Sequence, residues 1–125
     1  SLAMISDDFL PAITGAGVYL QHVSRELARR GHSVVVITAR RPGMPKEEIW
    51  HGVKVYRMFS VSICGFPQAL PTRAALRRIF LRHGVEAVHY HYLSFMLKRA
   101  FAASRELGLK NIHTYHMAPA LLAQP

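Results

Sequence analysis

Cysteine is almost missing: Cys64 is the only one among 125 residues. The chain therefore has no disulfide framework, and a reducing compartment is the simpler expectation. Acidic residues are also scarce, seven against 16 lysines and arginines. So few carboxylates argue against glycosidase chemistry, which needs two opposed acids flanking one bond. Long apolar runs are absent as well. The longest, such as "VVVIT", fall far short of the roughly 20 residues of a membrane helix. The opening "SLAMISDDFLP" lacks a basic start and turns acidic almost at once, so no secretory signal is read there and a cytoplasmic location is expected. No Gly-Lys-Ser/Thr follows a glycine turn, and no G-x-S-x-G elbow or Ser-His-Asp order appears.

Half of the residues are apolar, enough for a sizeable core, and the length is that of one ordinary domain. The net charge is +9 with histidines neutral. Such a field attracts nucleic acid, anionic lipid or phosphorylated substrates without choosing among them. Against nucleic acid, no helix-turn-helix, zinc finger or aromatic-rich sheet signature is present, so nucleic-acid binding is not expected.

The apolar pattern changes period repeatedly. "LAMIS" (Leu2–Ser6) reads as a short buried strand. Val18, Leu20, Val23, Leu27 and Ala28 recur at helical spacing, with Arg25, Glu26, Arg29 and Arg30 largely off that face, and Gly31 stops the helix. "SVVVIT" (Ser33–Thr38) is apolar and β-branched, as in a parallel strand covered on both faces. "RRPGMPKEE" reads as a loop, "VKVYRMF" (Val53–Phe59) as a strand, and "GFPQALP" as a second loop. A helix opens at Pro71 or Thr72 and runs to about His83. A strand at Val85–His91, a helix at Leu93–Leu107 and a strand at Asn111–His116 follow. The order β-α-β-β-α-β-α-β predicts an α/β fold: a Rossmann-like open parallel sheet with helices on both faces.

In such sheets ligands lie beyond the carboxyl ends of the strands. Asp7, Asp8 and the glycine turn follow the first strand, His91 to Ser94 follow the fourth, and His116 ends the fifth. That convergence is the main functional signal. Gly15-Ala16-Gly17 stands before a helix, where backbone N–H groups can approach an anion and the helix dipole favours it. It is not a dinucleotide fingerprint: Leu20 occupies the third glycine position, the loop from Asp7 to Thr14 is too long, and "TARR" replaces the acid expected for a ribose. The bland alternative is that the glycines only shape a turn.

The stretch "SDDFLPAITGAGVYLQHVSRELARRGHSVVVIT" resembles the opening of retaining family-4 glycosyltransferases of GT-B fold. "GVEAVHYHYLSF" resembles their "D-V-V-H-x-H" strand end, and "NIHTYHMAP" their "T-x-H" strand end. These segments span nearly the whole chain in the family's order. Within the family, "SDDFLP", "LPTRAALRRIFLRHGVEAVHYHYLSFM" and "ELGL" look closest to the phosphatidylinositol N-acetylglucosaminyltransferase type.

The resemblance implies that residues 1–125 are the N-terminal, acceptor-side half of a GT-B enzyme. The donor would be a nucleotide-diphosphate sugar, a UDP-sugar above others, with no metal and no separate cofactor. Gly15, Ala16 and Gly17 would face the donor phosphates, although the family more often has two adjacent glycines there. His116 matches the cleft histidine that lies against the transferred sugar; the alternative is a strand-end histidine bonded to a carbonyl. His91 matches the second histidine of H-x-H and, with Tyr92 and Asp7, would line the acceptor side. For Asp7 and Asp8 a solvated loop or a cap is the equal alternative.

His89 and His91 are two apart on a strand and should point the same way, with His113 opposite to its neighbours. Together with His116 they invite a zinc reading, yet no Cys or acid completes a ligand spacing, so no metal site is expected.

"PTRAALRRIFLRHG" groups Ala75, Leu76, Ile79 and Phe80 on one helical face, with Arg73, Arg77, Arg78 and Arg82 around them. The ordinary reading packs the apolar stripe on the sheet and shows the arginines to water. The sharper one docks them on anionic membrane, where each basic residue is worth roughly 1 kcal/mol, as would suit peripheral association and a phosphatidylinositol-like acceptor.

The family's donor-binding second half carries an E-x7-E pair that these residues lack; Glu47 and Glu48 adjoin in a loop and do not resemble it. The expectation is thus a half-enzyme, inactive without its C-terminal domain or a partner chain. The competing class is a non-catalytic α/β module holding a phosphorylated ligand or an anionic membrane for a partner.

Overall fold

A computed structural model of the chain describes residues 1–7, 15–40, 43–63, 66–91 and 95–113, with the backbone alone at 15–17, 62, 63, 66–68 and 95. Eight strands and three helices are formed by the described residues: β1 (Leu2–Ile5), α1 (Gly15–Arg29), β2 (Val34–Ala39), β3 (Glu47–Trp50), β4 (Val53–Met58), β5 (Ser60–Ile63), β6 (Phe66–Ala69), α2 (Arg73–Arg82), β7 (Ala87–Tyr90), α3 (Phe95–Glu106) and β8 (Lys110–His113). Six strands make the main sheet in the order β3-β4-β2-β1-β7-β8, and β5 pairs only with β6. From β4 to β8 every neighbouring pair is parallel. This is the Rossmann-like α/β arrangement the alternating pattern predicts, with helices on both faces.

The helices divide between the faces. Leu20, Val23, Leu27 and Ala28 of α1 pack with Met4, Val34, Val36, Val53 and Val55. On the other face Leu76, Ile79 and Phe80 of α2 and Met96, Ala100 and Ala103 of α3 pack with Ala3, Ile5, Val35, Ile37 and Tyr90. All six residues of β2 are buried, as a strand covered on both faces must be. One residue of the expected α1 stripe departs: Val18 is exposed, and the buried place further along the helix belongs to Ser24, whose hydroxyl donates to the Met4 sulfur at 3.2 Å.

Two expected loops are partly strand. Glu47 and Glu48, read as loop, begin β3, which runs antiparallel to β4 at the sheet edge, so the sheet is mixed rather than wholly parallel. The cause is a two-residue turn: His51 and Gly52 both have positive φ, 48° and 80°, the conformation whose twist joins adjacent antiparallel strands. Likewise "GFPQALP" contains β6, folded back on β5 with Ser60 opposite Ala69. The expected last strand, Asn111–His116, is seen as Lys110–His113, and its remaining three positions lie outside the described residues.

α2 begins where its cap residue directs. Thr72 is extended (φ −77°, ψ 155°), and its side chain accepts from the Ala75 N–H at 3.1 Å. At the other end His83 Nε2 lies 2.6 Å from the Tyr56 hydroxyl. Burial, then the charges of Arg82 and Lys54, hold this imidazole below its ordinary 6.5, with Glu47 opposing weakly. The folded state therefore binds its proton less readily than the unfolded chain. Its contribution is fully present above about pH 6.5 and is lost as pH falls through the lowered value. Urea midpoints at pH 7.5 and 5.5 should differ less in His83→Asn than in the parent.

Candidate functional site

The strand order reverses at β1. The chain leaves it for β2 through α1 on one face, and β7 arrives on its other side through α2 on the opposite face. A crevice opens at such a switch point, beyond the carboxyl ends of the adjoining strands β1 and β7. Ser6 and Asp7 follow β1 there, and His91 follows β7. The His91 N–H donates to the Ile5 carbonyl at 3.2 Å, which stitches the two ends together, and the Ser6 N–H donates to the Ile37 carbonyl of β2 at 3.1 Å.

Alternation along β7 sets the directions of its side chains. His89 pairs in register with Met4, and Tyr90 with Ile5, so the histidines share the α1 face and Tyr90 the other. The His89 and His91 rings lie 4.1 Å apart, as their spacing predicts. His91 is fully buried, and Tyr19 of α1 meets its ring edge-on at 6.0 Å. His113 goes the other way and stacks on Tyr90 at 4.7 Å. The Tyr90 hydroxyl donates to Asn111 Oδ1 at 2.8 Å, and burial raises its pKa well above that of a free phenol. Among the described residues no three His, Cys, Asp or Glu side chains gather as metal ligands would.

The glycines do not form a loop ahead of the helix. Gly15, Ala16 and Gly17 are its first turn. The first backbone N–H groups of a helix have no partner within it, so this turn presents donors and the positive dipole end. Tyr19 stands one turn further along, against His91, which joins the glycine turn to the end of β7. Periodicity alone did not single out Tyr19; its signal was position, four residues after Gly15 on a helix entering at a strand end.

Asp7 is buried, and its Oδ1 accepts from the Ala69 N–H at 2.9 Å. The carboxylate thus fastens the β5–β6 hairpin to the end of β1. The hairpin's own open end is closed by the Leu70 N–H, which donates to the Phe59 carbonyl at 2.8 Å. Cutting the Asp7 tie leaves a buried donor unpaired, so Asp7→Ala should cost about 1–3 kcal/mol in a urea titration. The hairpin amides should also gain exchange ahead of those of β2.

The arginines of α2 serve two flanks. Arg73 and Arg77 reach Glu106 of α3 at 3.2 and 3.6 Å, whereas Arg78 and Arg82 lie beside β4. Asp8, Tyr92 and His116 fall outside the described residues. No helix of the described residues is long and apolar enough to cross a membrane.

Comparison with known proteins gives a consistent result. Residues 13–123 match the family described as Glycosyltransferase Family 4. The Phosphatidylinositol N-acetylglucosaminyltransferase GPI3 subunit of Saccharomyces cerevisiae is 31% identical over 121 residues, covering 93% of this chain and 27% of the yeast protein. The Homo sapiens protein named as a subunit of phosphatidylinositol N-acetylglucosaminyltransferase is 30% identical over 126 residues, 93% of this chain and 25% of the human one. The Arabidopsis thaliana protein of the same name is 31% identical over 121 residues, 90% of this chain and 26% of its own length. The chain spans about a quarter of the length of the relatives it matches.

Proposed function

Since the chain belongs to glycosyltransferase family 4, we propose that it is the acceptor-side half of a GT-B enzyme that moves a sugar, with retention, from a nucleotide-diphosphate sugar to a lipid headgroup. The observation that carries this reading is the convergence at the switch point: the first turn of α1, the end of β1 with Asp7, and the buried His91 at the end of β7. The names of the relatives carry N-acetylglucosamine and phosphatidylinositol. We therefore take a UDP-linked N-acetylglucosamine as donor and a phosphoinositol headgroup as acceptor. Those names also describe each protein as one subunit, which favours a partner chain.

Each group then has a task. In a retaining transfer the bond from the anomeric carbon to the leaving diphosphate breaks through an oxocarbenium-like state. Positive charge grows on the sugar and negative charge on the diphosphate. The first turn of α1 faces the negative charge with backbone donors and its dipole. His116 would stand beside the sugar and support the positive charge, and His91 and Tyr92 would line the acceptor side. Asp7, tied to Ala69, holds the hairpin as a wall of that side. The remaining donor contacts belong to a second domain. Arg78 and Arg82 would favour peripheral association with the anionic surface that holds the acceptor.

Calorimetric titration with phosphoinositol headgroup tests this division. The parent should bind the headgroup and bind UDP-sugars weakly or not at all. Gly17→Val places a branched side chain in the anion-facing turn and should weaken headgroup binding at least about tenfold, roughly 1.4 kcal/mol. Tight nucleotide binding by this chain alone would contradict the division. Binding only to anionic vesicles, unchanged by Gly17→Val or His116→Ala, would favour a non-catalytic docking module.

A further inference from the structure

Four basic side chains converge on a groove of about 430 Å³ between α2 and the β3–β4 hairpin: Arg40 beyond β2, Lys46 before β3, and Arg78 and Arg82 from α2. All four are exposed, and none has an ion-pair partner among the described residues. Glu47 is the one acid in the lining, and it and the nearby acids pair with other cations. Glu47 holds Lys54 at 3.0 Å, Glu48 holds Arg57 at 2.8 Å, and Glu106 takes Arg73 and Arg77 on the far flank of α2. Arg57, fully buried at its side chain, forms part of the wall and is fixed by Glu48 and by the Pro45 carbonyl at 3.2 Å. Four like charges thus line one space the size of a small-ligand pocket, and each raises the energy of the others.

We propose that this groove is a second binding site, apart from the crevice between β1 and β7, for a phosphorylated ligand carrying at least two negative charges. Neither Asp7 nor His91 lines it. Three of its cations are arginines, counting the two on α2 with Arg40, and the guanidinium fork matches phosphate oxygens in pairs. The positions of Arg78 and Arg82, one helical turn apart, give two donors along one wall. Arg40 and Lys46 add two more cations to the lining from outside the helix. A concave site of this size fits a compact polyanion better than the extended stripe of phosphates on a duplex. The same chemistry is offered by a free polyphosphate and by a phosphorylated lipid headgroup.

The test compares two double variants that remove equal charge from α2. Arg78→Gln/Arg82→Gln empties the groove, and Arg73→Gln/Arg77→Gln empties the Glu106 flank. Inorganic pyrophosphate is titrated by calorimetry at low and physiological salt, and thermal midpoints are read alongside. Pyrophosphate binding should fall more than about tenfold in the groove variant and change little in the flank variant. Without ligand, the groove variant should melt no lower than the parent at low salt, because repulsion has been relieved. Vesicles of phosphatidylcholine with phosphatidylinositol 4-phosphate, whose headgroup carries a phosphomonoester, separate the two sources. Pyrophosphate that displaces the protein from them assigns a lipid headgroup; pyrophosphate binding without vesicle binding assigns a free ligand. Equal loss in both double variants would mean the general field alone is acting and would overturn the proposal. Absent pyrophosphate binding, or tighter binding of a DNA duplex through the same arginines, would overturn it too.

Discussion

Phe80→Ala should cost about 3–5 kcal/mol and shift the urea midpoint of the whole chain rather than of α2 alone. Phe80 is 1% exposed and packs in the cluster that joins α2 and α3 to the sheet. Deleting its ring removes a large apolar area from that cluster and leaves a void lined by neighbours held on a rigid sheet. Leu76 and Ile79 keep α2 in place, so the cavity cannot collapse fully. A Phe80→Leu variant should recover more than half of the loss. If Phe80→Ala unfolds with the parent's midpoint, α2 is not part of the cooperative unit and does not pack on the sheet in this way.

Glu48→Ala is the second large effect, about 3 kcal/mol, although it truncates a residue on an edge strand. Arg57 has its side chain fully buried, and Glu48 Oε1 at 2.8 Å is its carboxylate partner. Removing that carboxylate leaves a guanidinium charge in a poorly solvated place, which is far more costly than losing an exposed pair. Replacing both partners removes the stranded charge. Glu48→Leu/Arg57→Met should therefore stand closer to the parent than Glu48→Ala does. Chemical denaturation of the three proteins at one pH gives the comparison, and a double variant weaker than the single would refute the stranded-charge account.

The parts of the fold legible in the sequence were those with a strong period or a strong stop. α1 and α2 showed apolar stripes bounded by Gly31 and by Thr72 with His83 and Gly84, and β2 showed an unbroken β-branched run. The two hairpins were hidden for a shared reason. β3 reads "EEIW", half of it acidic, and β6 reads "FPQA", with a proline inside it, and the pairing of each depends on a neighbour more than on its own composition. The His51-Gly52 turn was the available signal for β3. At the site, strand ends and the pairing of His89 with His91 followed from alternation. The Asp7–Ala69 bond did not, because it joins residues 62 apart and depends on a hairpin that composition concealed.

The central place of β1 bears on how the chain is made. Leu2–Ile5 is paired on one edge by Val34–Ile37 and on the other by Ala87–Tyr90. Synthesis proceeds at about 5–20 residues per second, so the second edge stays open for several seconds after the first is closed. During that time an almost wholly apolar strand offers a free row of N–H and C=O groups to any other nascent chain. A strand at the centre of the finished sheet is thus the one most dependent on protection at the ribosome. Slower translation between Val34 and Ala87 should raise the aggregated fraction without altering the stability of the molecules that fold.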